Sequence, residues 1–385
     1  MNGEAASLGI TRDSRPLSRL GRIADLDRLS PEERAAQYRL IRWQRQSMAA
    51  RIMYDQRVAK CFRVRLKPFV EVLYSAKVHK AHYGGLVICG SVWMCPVCAA
   101  KITERRRLEL ESIDTTGLSQ FMVTVTLQHS TDDTLKDVER HLTSAWTQLK
   151  SGGWWQRFAR EFLIVGNVIG TEVTYGLEAG WHPHKHVLMW SRLSDRKIKT
   201  EMIRGRISER FEHILAKAGR YASPIHGVDV RKGNNLISEY VAKFGYEPKK
   251  KDGKGWSLAA EITKGPAKIG LKYGKHYSPF QLLDLYLAGS LQAGKLFREY
   301  ALTMKGTRQL RWSPGTRNLF GLDRELSDEE IAAMQEQIAA ILGLLNSEHW
   351  LIISRKEKRF HVLEVASTGN VECFKVYLKS LGVEL

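Results

Sequence analysis

The segment His182–Met189 opens with three histidines at alternate positions, in the order HPHKH, and continues into apolar residues. Alternate residues of a β-strand lie on the same face, so we predict that the three imidazoles project from one side of a strand. A single histidine is more often an ordinary exposed or core side chain than a ligand. Three of them on one face are typical of a metal site.

A glutamate reaches the same face if the two neighbouring β-like segments, 162–177 and 181–190, form a hairpin. We predict a three-residue connection centred on Ala179, so that residues whose numbers sum to 358 are opposite one another and His186 faces Glu172. The expected ligands are His184, His186 and Glu172, with His182 auxiliary at the mouth of the strand. Imidazoles with a carboxylate suit Mg²⁺ or Mn²⁺ acting on a phosphodiester.

A candidate nucleophile lies in the segment 237–246, ISEYVAKFGY. Tyr240 and Lys243 are three residues apart, hence on one face of a predicted helix. A tyrosine hydroxyl near a metal-bound phosphate can attack phosphorus, displace a 3′-hydroxyl and form a 5′-phosphotyrosine. Lys243 would lower the pKa of the tyrosine or neutralise charge on the phosphate. Taken alone, a tyrosine and a lysine at this spacing are more often a packed core residue and a solvated amine.

The cysteines predict a second, structural metal site. Cys95 and Cys98 are separated by two residues, and Cys89 lies close before them. Three thiolates and a fourth ligand suit tetrahedral Zn²⁺; we favour Cys61 as the fourth, and His82 is the alternative. Buried free thiols are the other interpretation of this cluster. The remaining cysteine, Cys373, is expected to be a core residue.

The chain is strongly basic, with 60 Lys and Arg against 41 Asp and Glu, a formal charge of +19 and a pI near 9.7. Such a charge favours a polyanion as partner, and nucleic acid leads. Candidate phosphate contacts are Arg105 and Arg106, after the cysteines, and Lys249 and Lys250, in a lysine-rich loop. The arginine run is equally compatible with a solvated helix face.

No run of 18 or more apolar residues occurs, and the first residues lack the apolar centre of a signal peptide. We therefore expect no membrane partner and a cytoplasmic location. The content of 43% hydrophobic and 26% charged residues is that of a globular protein.

The elements around these residues indicate an α+β fold. We predict a strand at 121–127, helices at 133–151 and 197–217, a short strand at 226–231 and a helix at 236–244. With the hairpin, this order favours a mainly antiparallel sheet flanked by helices.

Two capping boxes mark helix starts nearer the ends of the chain. Ser30 with Glu33 precedes a predicted helix through Met53, and Ser327 with Glu330 precedes a predicted helix running past Ile341. The second of these opens a small C-terminal α/β segment, predicted as helix, two strands and helix.

Three of these motifs, in this order, resemble those of the plasmid rolling-circle replication initiators of the HUH endonuclease superfamily: FMVTVTL, HPHKHVL and YVAK. The stretch 81–102 is also similar to the cysteine module that precedes the catalytic domain in many bacterial plasmid Rep proteins. The resemblance covers roughly 55–320. It implies that His184 and His186 bind the divalent ion and that Tyr240 is the nucleophile.

The chain departs from part of the family at one point. Some relatives have a second tyrosine where this chain has Phe244, which cannot attack phosphorus. The resemblance therefore leaves Tyr240 as nucleophile without a two-tyrosine mechanism. Tyr246 is a substitute candidate, and Glu239 is a candidate for activating water at termination.

The resemblance implies an HUH-type catalytic domain at 113–322, preceded by an N-terminal polar and helical segment at 1–54 and a zinc module with a basic helix at 55–112, and followed by an accessory segment at 323–385. It implies a site-specific endonuclease and strand transferase that nicks single-stranded or hairpin plasmid origin DNA and later rejoins it, working with a host helicase. An HUH transposase or relaxase, and a non-enzymatic zinc-containing DNA-binding regulator, are the alternatives.

Overall fold

The computed structural model describes residues 30–232, 276–334 and 339–385. The described residues fall into two compact units, which we call the sheet unit, within 103–325, and the cysteine unit, which combines residues up to 102 with residues from 326 onward. The fold is α+β with antiparallel sheets flanked by helices, as predicted. The four-part division at 54, 112 and 322 remains a prediction.

The described helices and strands are named here in chain order. The first half contains α1 (Pro31–Ile52), a 3₁₀ turn (Arg57–Lys60), β1 (Val70–Ser75), β2 (Lys80–Gly84), α2 (Pro96–Glu111), β3 (Ser119–Val125), α3 (Leu135–Leu149), α4 (Gly152–Glu161), β4 (Ile164–Gly176) and β5 (Gly180–Ser191). The second half contains α5 (Thr200–Lys217), β6 (Val228–Lys232), β7 (His276–Tyr277), α6 (Pro279–Leu287), α7 (Leu291–Met304), β8 (Leu310–Trp312), α8 (Thr316–Leu319), α9 (Asp328–Ala333), β9 (Ala340–Leu345), α10 (Ser347–Arg355), α11 (Arg359–Ala366) and α12 (Val371–Ser380).

The large sheet of the sheet unit has the order β6-β3-β5-β4-β7, and β8 also pairs with β4. Every pairing in it is antiparallel. One face packs Val123, Val187 and Met189 against apolar side chains of α3 and α5, including Leu142 and Ile207. The helices cover this face of the sheet, and the histidines lie on the opposite face.

That opposite face has its own smaller core. Met122, Val168, Leu188 and Trp190 pack there with Leu310 of β8. The apolar half of β5 is thereby buried on both faces, as its continuous run LMW suggests. The histidine half of the strand lies next to this core.

The hairpin register differs from the predicted one. Residues 177–179 connect β4 and β5, and Glu172 lies opposite His184 instead of His186. The predicted register is wrong because the connection is centred one residue earlier, which moves each partner by two positions. An even shift keeps every side chain on its face, so the predicted grouping of His184, His186 and Glu172 on one side of the sheet is confirmed.

Gly180 explains where the turn ends. Its φ is 75°, and a Cβ at this position would lie 2.8 Å from the backbone oxygen of Ser130. Only glycine combines that backbone conformation with that close approach. The glycine is therefore the first residue of β5 and not the last residue of the connection.

The cysteine unit contains a three-stranded antiparallel sheet of order β2-β1-β9. Its core joins Val70 and Val72 of β1 to Leu345 of β9 and to Trp350 and Phe374 of the following helices. Chain segments far apart in sequence thus build one core.

The C-terminal prediction is wrong in part. The capping box of Ser327 with Glu330 is confirmed, but its helix ends at Ala333, and Ile341 belongs to strand β9. In the described residues after this helix, one strand, β9, is followed by the helices α10, α11 and α12, where two strands and one helix were predicted. Pairing with β1 decides the state of β9, and a local pattern does not contain that partner. The capping box of Ser30 with Glu33 is also confirmed.

Among the helices of the described ranges, none has the length and apolar character needed to cross a membrane.

Candidate active site and metal centre

The histidine face of β5 is centred on His186, whose ring joins three strands. Its Nε2 lies 3.0 Å from Oε2 of Glu172 in β4, and its Nδ1 lies 3.0 Å from Oγ1 of Thr124 in β3. In the neutral ring one nitrogen donates and the other accepts, so Nε2 donates to the carboxylate and Nδ1 accepts from the hydroxyl. His186 is 5% and Glu172 6% exposed, which makes this a largely desolvated pair.

The three imidazoles form a continuous row along the strand. The rings of His184 and His186 are nearly parallel, with centroids 5.8 Å apart and an interplanar angle of 18°. The rings of His182 and His184 meet edge to face at 4.0 Å. Alternation along β5 therefore places the imidazoles together, as the sequence indicates.

A fourth histidine, His129, belongs to the same row, and the sequence argument did not include it. Its Nδ1 lies 2.7 Å from the carbonyl oxygen of Ala179, and its Nε2 contacts Nδ1 of His182. In the sequence, His129 is marked only by its position four residues beyond β3. That position does not indicate that it lies beside His182.

His182, the first histidine of β5, is kept uncharged by its surroundings. Burial, together with the neighbouring His129 and His276, lowers the pKa of His182 to about 4. His182 is thus a neutral imidazole near neutral pH, the form that can accept a hydrogen bond or coordinate a cation.

Behind the row, on the helix-covered face, β5 carries a buried ammonium. Lys185 is 1% exposed; it donates to Glu139 of α3 and, at 3.0 Å, to Oγ1 of Thr171 in β4. Burial lowers the pKa of Lys185, and the Glu139 carboxylate opposes that effect. The pair links α3 to the two strands that carry the histidines and Glu172.

The predicted cysteine site is assembled in the cysteine unit. Cys61, Cys89, Cys95 and Cys98 are all buried, and their sulfur atoms all lie within 4.8 Å of one another. The Sγ atom of Cys98 is 3.7 Å from those of Cys61 and Cys89, and Cys61 is 3.9 Å from Cys95. Zn–S bonds of about 2.3 Å in a tetrahedron give S···S separations of about 3.8 Å. The four thiols therefore fit a tetrahedral metal ion such as zinc.

Cys61, and not His82, is the fourth member of this group. Cys61 follows the 3₁₀ turn, whereas His82 lies in β2 opposite Leu73. Two backbone amides also approach sulfur: Cys89 N is 3.3 Å from Sγ of Cys61, and Cys98 N is 3.5 Å from Sγ of Cys95. These dipoles favour thiolate charge at the sulfurs.

The thiols of the cysteine group differ in how readily they ionise. Burial raises the pKa of Cys95 well above its usual range, whereas hydrogen bonds from the neighbouring thiols hold the pKa of Cys98 well below it. A divalent cation supplies the opposite charge and makes the thiolates the stable form.

Within the described ranges, the cysteine group is the one set of His, Cys, Asp and Glu side chains whose ligand atoms all come within 4.8 Å. The row of histidines with Glu172 is more open. His186 already uses both ring nitrogens in hydrogen bonds, so metal ligation there requires its Nε2 to exchange Glu172 for the ion.

The two arginines of the predicted DNA contact differ in exposure. Arg105 is exposed on α2. Arg106 is 5% exposed and donates to Oε1 of Gln309 at 3.1 Å, so its guanidinium is a buried structural group and the expectation of a phosphate contact there is corrected. Arg107 is likewise engaged, by Glu104 and Glu111.

Four predicted site residues, Tyr240, Lys243, Lys249 and Lys250, lie outside the described residues, as do Glu239, Phe244 and Tyr246. Their roles remain predictions. Cys373, expected in a core, is exposed on α12, and that expectation is wrong.

Comparison with known proteins finds no matching family model and no matching solved structure. The chain is similar to a Streptomyces lividans protein named Protein rep, with 28% identity over 62% of this chain and 65% of that protein. It is also similar to a protein of Streptomyces cyanogenus named Neomycin resistance protein, with 29% identity over 27% of this chain and 30% of that protein. The chain is therefore Rep-like over the matched part, and it spans less than two thirds of either relative.

Proposed function

We propose that this protein is a rolling-circle replication initiator that nicks single-stranded origin DNA through a tyrosine nucleophile. One observation carries the proposal: three imidazoles in a row on β5 share a sheet face with Glu172, and His186 contacts that carboxylate at 3.0 Å. Such a set serves a divalent cation that also holds a phosphate. The likeness to Protein rep supports a role in replication.

In this proposal His184, His186 and Glu172 hold Mg²⁺ or Mn²⁺. When bound, the ion polarises the scissile phosphodiester. With the ion bound, Nε2 of His186 would be its ligand, and the hydrogen bond from Thr124 to Nδ1 would hold the ring in that orientation. The buried Lys185–Glu139 pair holds β5 in place behind it.

Tyr240 performs the covalent step. Its hydroxyl loses a proton, the oxygen attacks phosphorus, the bond to the 3′-oxygen breaks, and the 3′-oxygen takes up a proton. The product is a free 3′-hydroxyl and a 5′-phosphate joined to Tyr240, and the reverse reaction rejoins the strand. Lys243 neutralises charge that develops on the phosphate.

The remaining parts have supporting roles. The four cysteines bind a structural Zn²⁺, which leaves no open coordination position for chemistry. The formal charge of +19 supports DNA as the partner, with Arg105, Lys249 and Lys250 as phosphate contacts. A host helicase opens the duplex after the nick.

The test is a gel assay of the full chain with Mn²⁺ or Mg²⁺ on labelled single-stranded oligonucleotides that tile its own plasmid. We expect a protein-linked 5′ product that disappears in Tyr240→Phe. Tyr221→Phe is the matched control, because Tyr221 is 65% exposed in the sheet unit, and it should cut like the wild type.

Cleavage that survives Tyr240→Phe and disappears in Tyr246→Phe would transfer the role to Tyr246. A stable complex with origin DNA but no cleavage of any oligonucleotide would instead favour the non-enzymatic regulator.

A further inference from the structure

A cavity of about 340 Å³ lies beside β8 in the sheet unit, apart from the row of histidines. Its walls are formed by residues 308, 311–315, 317 and 318 and by Glu325. Three of the lining side chains are arginines and one is a glutamate; with Glu109, which pairs with Arg317 from outside the lining, a surplus of one positive charge remains. The cavity therefore favours an anionic ligand.

The sheet connects this cavity to the proposed active site. Trp312 of β8 lies opposite Val168 of β4, and Glu172 lies four residues further along the same strand. An even separation keeps Val168 and Glu172 on one face. At about 3.4 Å per residue they are about 14 Å apart, a distance that a single DNA strand spans within a few nucleotides.

Two flat groups, the guanidinium of Arg317 and the indole of Trp312, lie against each other in the wall of the cavity. The guanidinium of Arg317 lies 5.3 Å from the centroid of the Trp312 ring, and that ring is parallel to the ring of Trp190 at 6.1 Å. Both oxygens of Glu109 hold Arg317, at 3.0 and 2.8 Å. A planar cation fixed against an indole offers a flat surface on which a nucleobase can stack.

Two exposed polar side chains complete the recognition chemistry. Asn318 is exposed, and its amide can donate and accept at a base edge. The side chain of Arg308 is 71% exposed and pairs with Glu325 only at 3.6 Å. An exposed ion pair of this kind contributes little, so Arg308 can exchange it for a bidentate contact with a phosphate.

We propose that this cavity binds one base and the adjoining phosphate of the single DNA strand whose scissile phosphate lies at the histidine row. The base stacks in the cavity formed by Trp312 and Arg317, Asn318 contacts its edge, and Arg308 contacts the phosphate. This inference rests on the proposed function for its ligand, and it adds a nucleotide subsite to it.

The first test is photocrosslinking of the full chain, without added Mg²⁺ or Mn²⁺ so that the strand stays uncut, to a random-sequence single-stranded oligonucleotide that contains 5-iododeoxyuridine. Trypsin cleaves after Arg311 and Arg317, so the subsite is reported by the peptide 312–317. We expect mass spectrometry to find the nucleotide on this peptide. Absence of adducts from 312–317 while other peptides carry them would overturn the proposal.

The second test measures affinity for the same oligonucleotide in the double variant Arg308→Ala, Asn318→Ala. We expect binding to weaken about tenfold and the log–log salt slope to become shallower by about 0.7, because one phosphate contact and one polar base contact are lost. Arg140→Ala is the matched control: its side chain is 68% exposed on α3, and it should bind like the wild type. Unchanged affinity and slope in the double variant would contradict the subsite.

These results separate the subsite from the proposed chemistry. If the peptide crosslinks and the double variant binds weakly, but the wild type cuts no origin oligonucleotide, the subsite stands and the nicking proposal fails. If the wild type cuts and the double variant binds and cuts equally well, the subsite fails alone. Matching thermal unfolding of the double variant and the wild type confirms that both fold.

Discussion

The most informative single residues of the cysteine unit are four buried thiols. Three of their S···S distances are 3.7–3.9 Å and all lie within 4.8 Å, which fits a tetrahedral zinc site. We predict that Cys95→Ser lowers bound zinc from about one ion per chain to well below half and lowers the unfolding temperature. The reason is that a hydroxyl is a poor zinc ligand and the other thiolates then lack their counter-charge. Elemental analysis and thermal unfolding measure both effects.

Cys373→Ser is the matched control for that variant, since Cys373 is exposed on α12. It removes one thiol and should leave zinc content and unfolding unchanged. If Cys95→Ser retained stoichiometric zinc and full stability, the cysteine group would be a cluster of buried thiols and not a metal centre.

The histidine row supports a second prediction at the residue scale. His184→Ala and His186→Ala should each lower nicking by at least about a hundredfold, because each removes an inner ligand of the catalytic ion. Duplex DNA binding should stay close to that of the wild type, because phosphate contacts elsewhere provide the affinity. The measurements are nicking on gels and binding by fluorescence anisotropy.

His213→Ala is the control for these variants, because His213 is exposed on α5 and belongs to another face of the unit. Equal loss of nicking and of all DNA binding in the His184 and His186 variants would contradict a purely catalytic role.

At the scale of elements, the end of α3 is attached to β4 by a lysine with a perturbed pKa. Lys150 donates to Oδ1 of Asn167 at 2.9 Å and lies 5.6 Å from the Trp155 ring centroid. Burial, with a smaller effect of Arg311, lowers the pKa of Lys150 from 10.5 to about 8. This contact is therefore sensitive to pH above neutrality.

The sign of that pH dependence follows from linkage. Between about pH 8 and 10.5 the unfolded chain keeps the Lys150 proton and the folded chain releases it. The unfolded state then binds more protons, so the free energy of unfolding rises with pH across this window. We expect the stability of the wild type relative to Lys150→Met to increase as pH rises from 8 to 10.5, measured by urea denaturation.

Lys136→Met is the matched control, because it removes an exposed ammonium from the same helix. A stability difference between wild type and Lys150→Met that stays constant over the window would show that the Lys150 ammonium keeps its proton in the folded protein.

The scale of the whole molecule is dominated by its formal charge of +19. We predict that affinity for single-stranded DNA falls with salt with a log–log slope of about −3.5 or steeper, which corresponds to roughly five neutralised phosphates at about −0.7 each. Titrations at several salt concentrations measure the slope. A methylphosphonate oligonucleotide, which lacks the backbone charges, is the control and should show almost no salt dependence. A shallow slope on normal DNA would mean that the positive charge is spread over surfaces that do not contact it.

Several features depend only on residues that are close in sequence, and the sequence by itself determined them. The period of two in a strand placed His182, His184 and His186 on one face, whatever register the hairpin took. The capping boxes at Ser30 and Ser327 began helices where the local pattern indicated, since donor and acceptor are three residues apart.

Other features depend on partners far along the chain, and only the tertiary structure decided them. Cys61 became the fourth thiol because folding brings it from 28 residues before Cys89 into contact with it. Ile341 became part of a strand because β1 accepts β9 as an edge partner. Arg106 became buried because Gln309, far away in sequence, satisfies its guanidinium.

Long-range contacts also explain the two differences between prediction and structure at the histidine face, which are the hairpin register and the presence of His129. The turn lies one residue earlier than the local turn pattern suggested, with Gly180 close to the Ser130 backbone, and His129 contacts the carbonyl oxygen of Ala179 in that turn. Alternation and capping act over a few residues and are visible in any short window of sequence. Register, burial and the last ligand are determined by long-range contacts, whose free energy depends on which distant segments pack together.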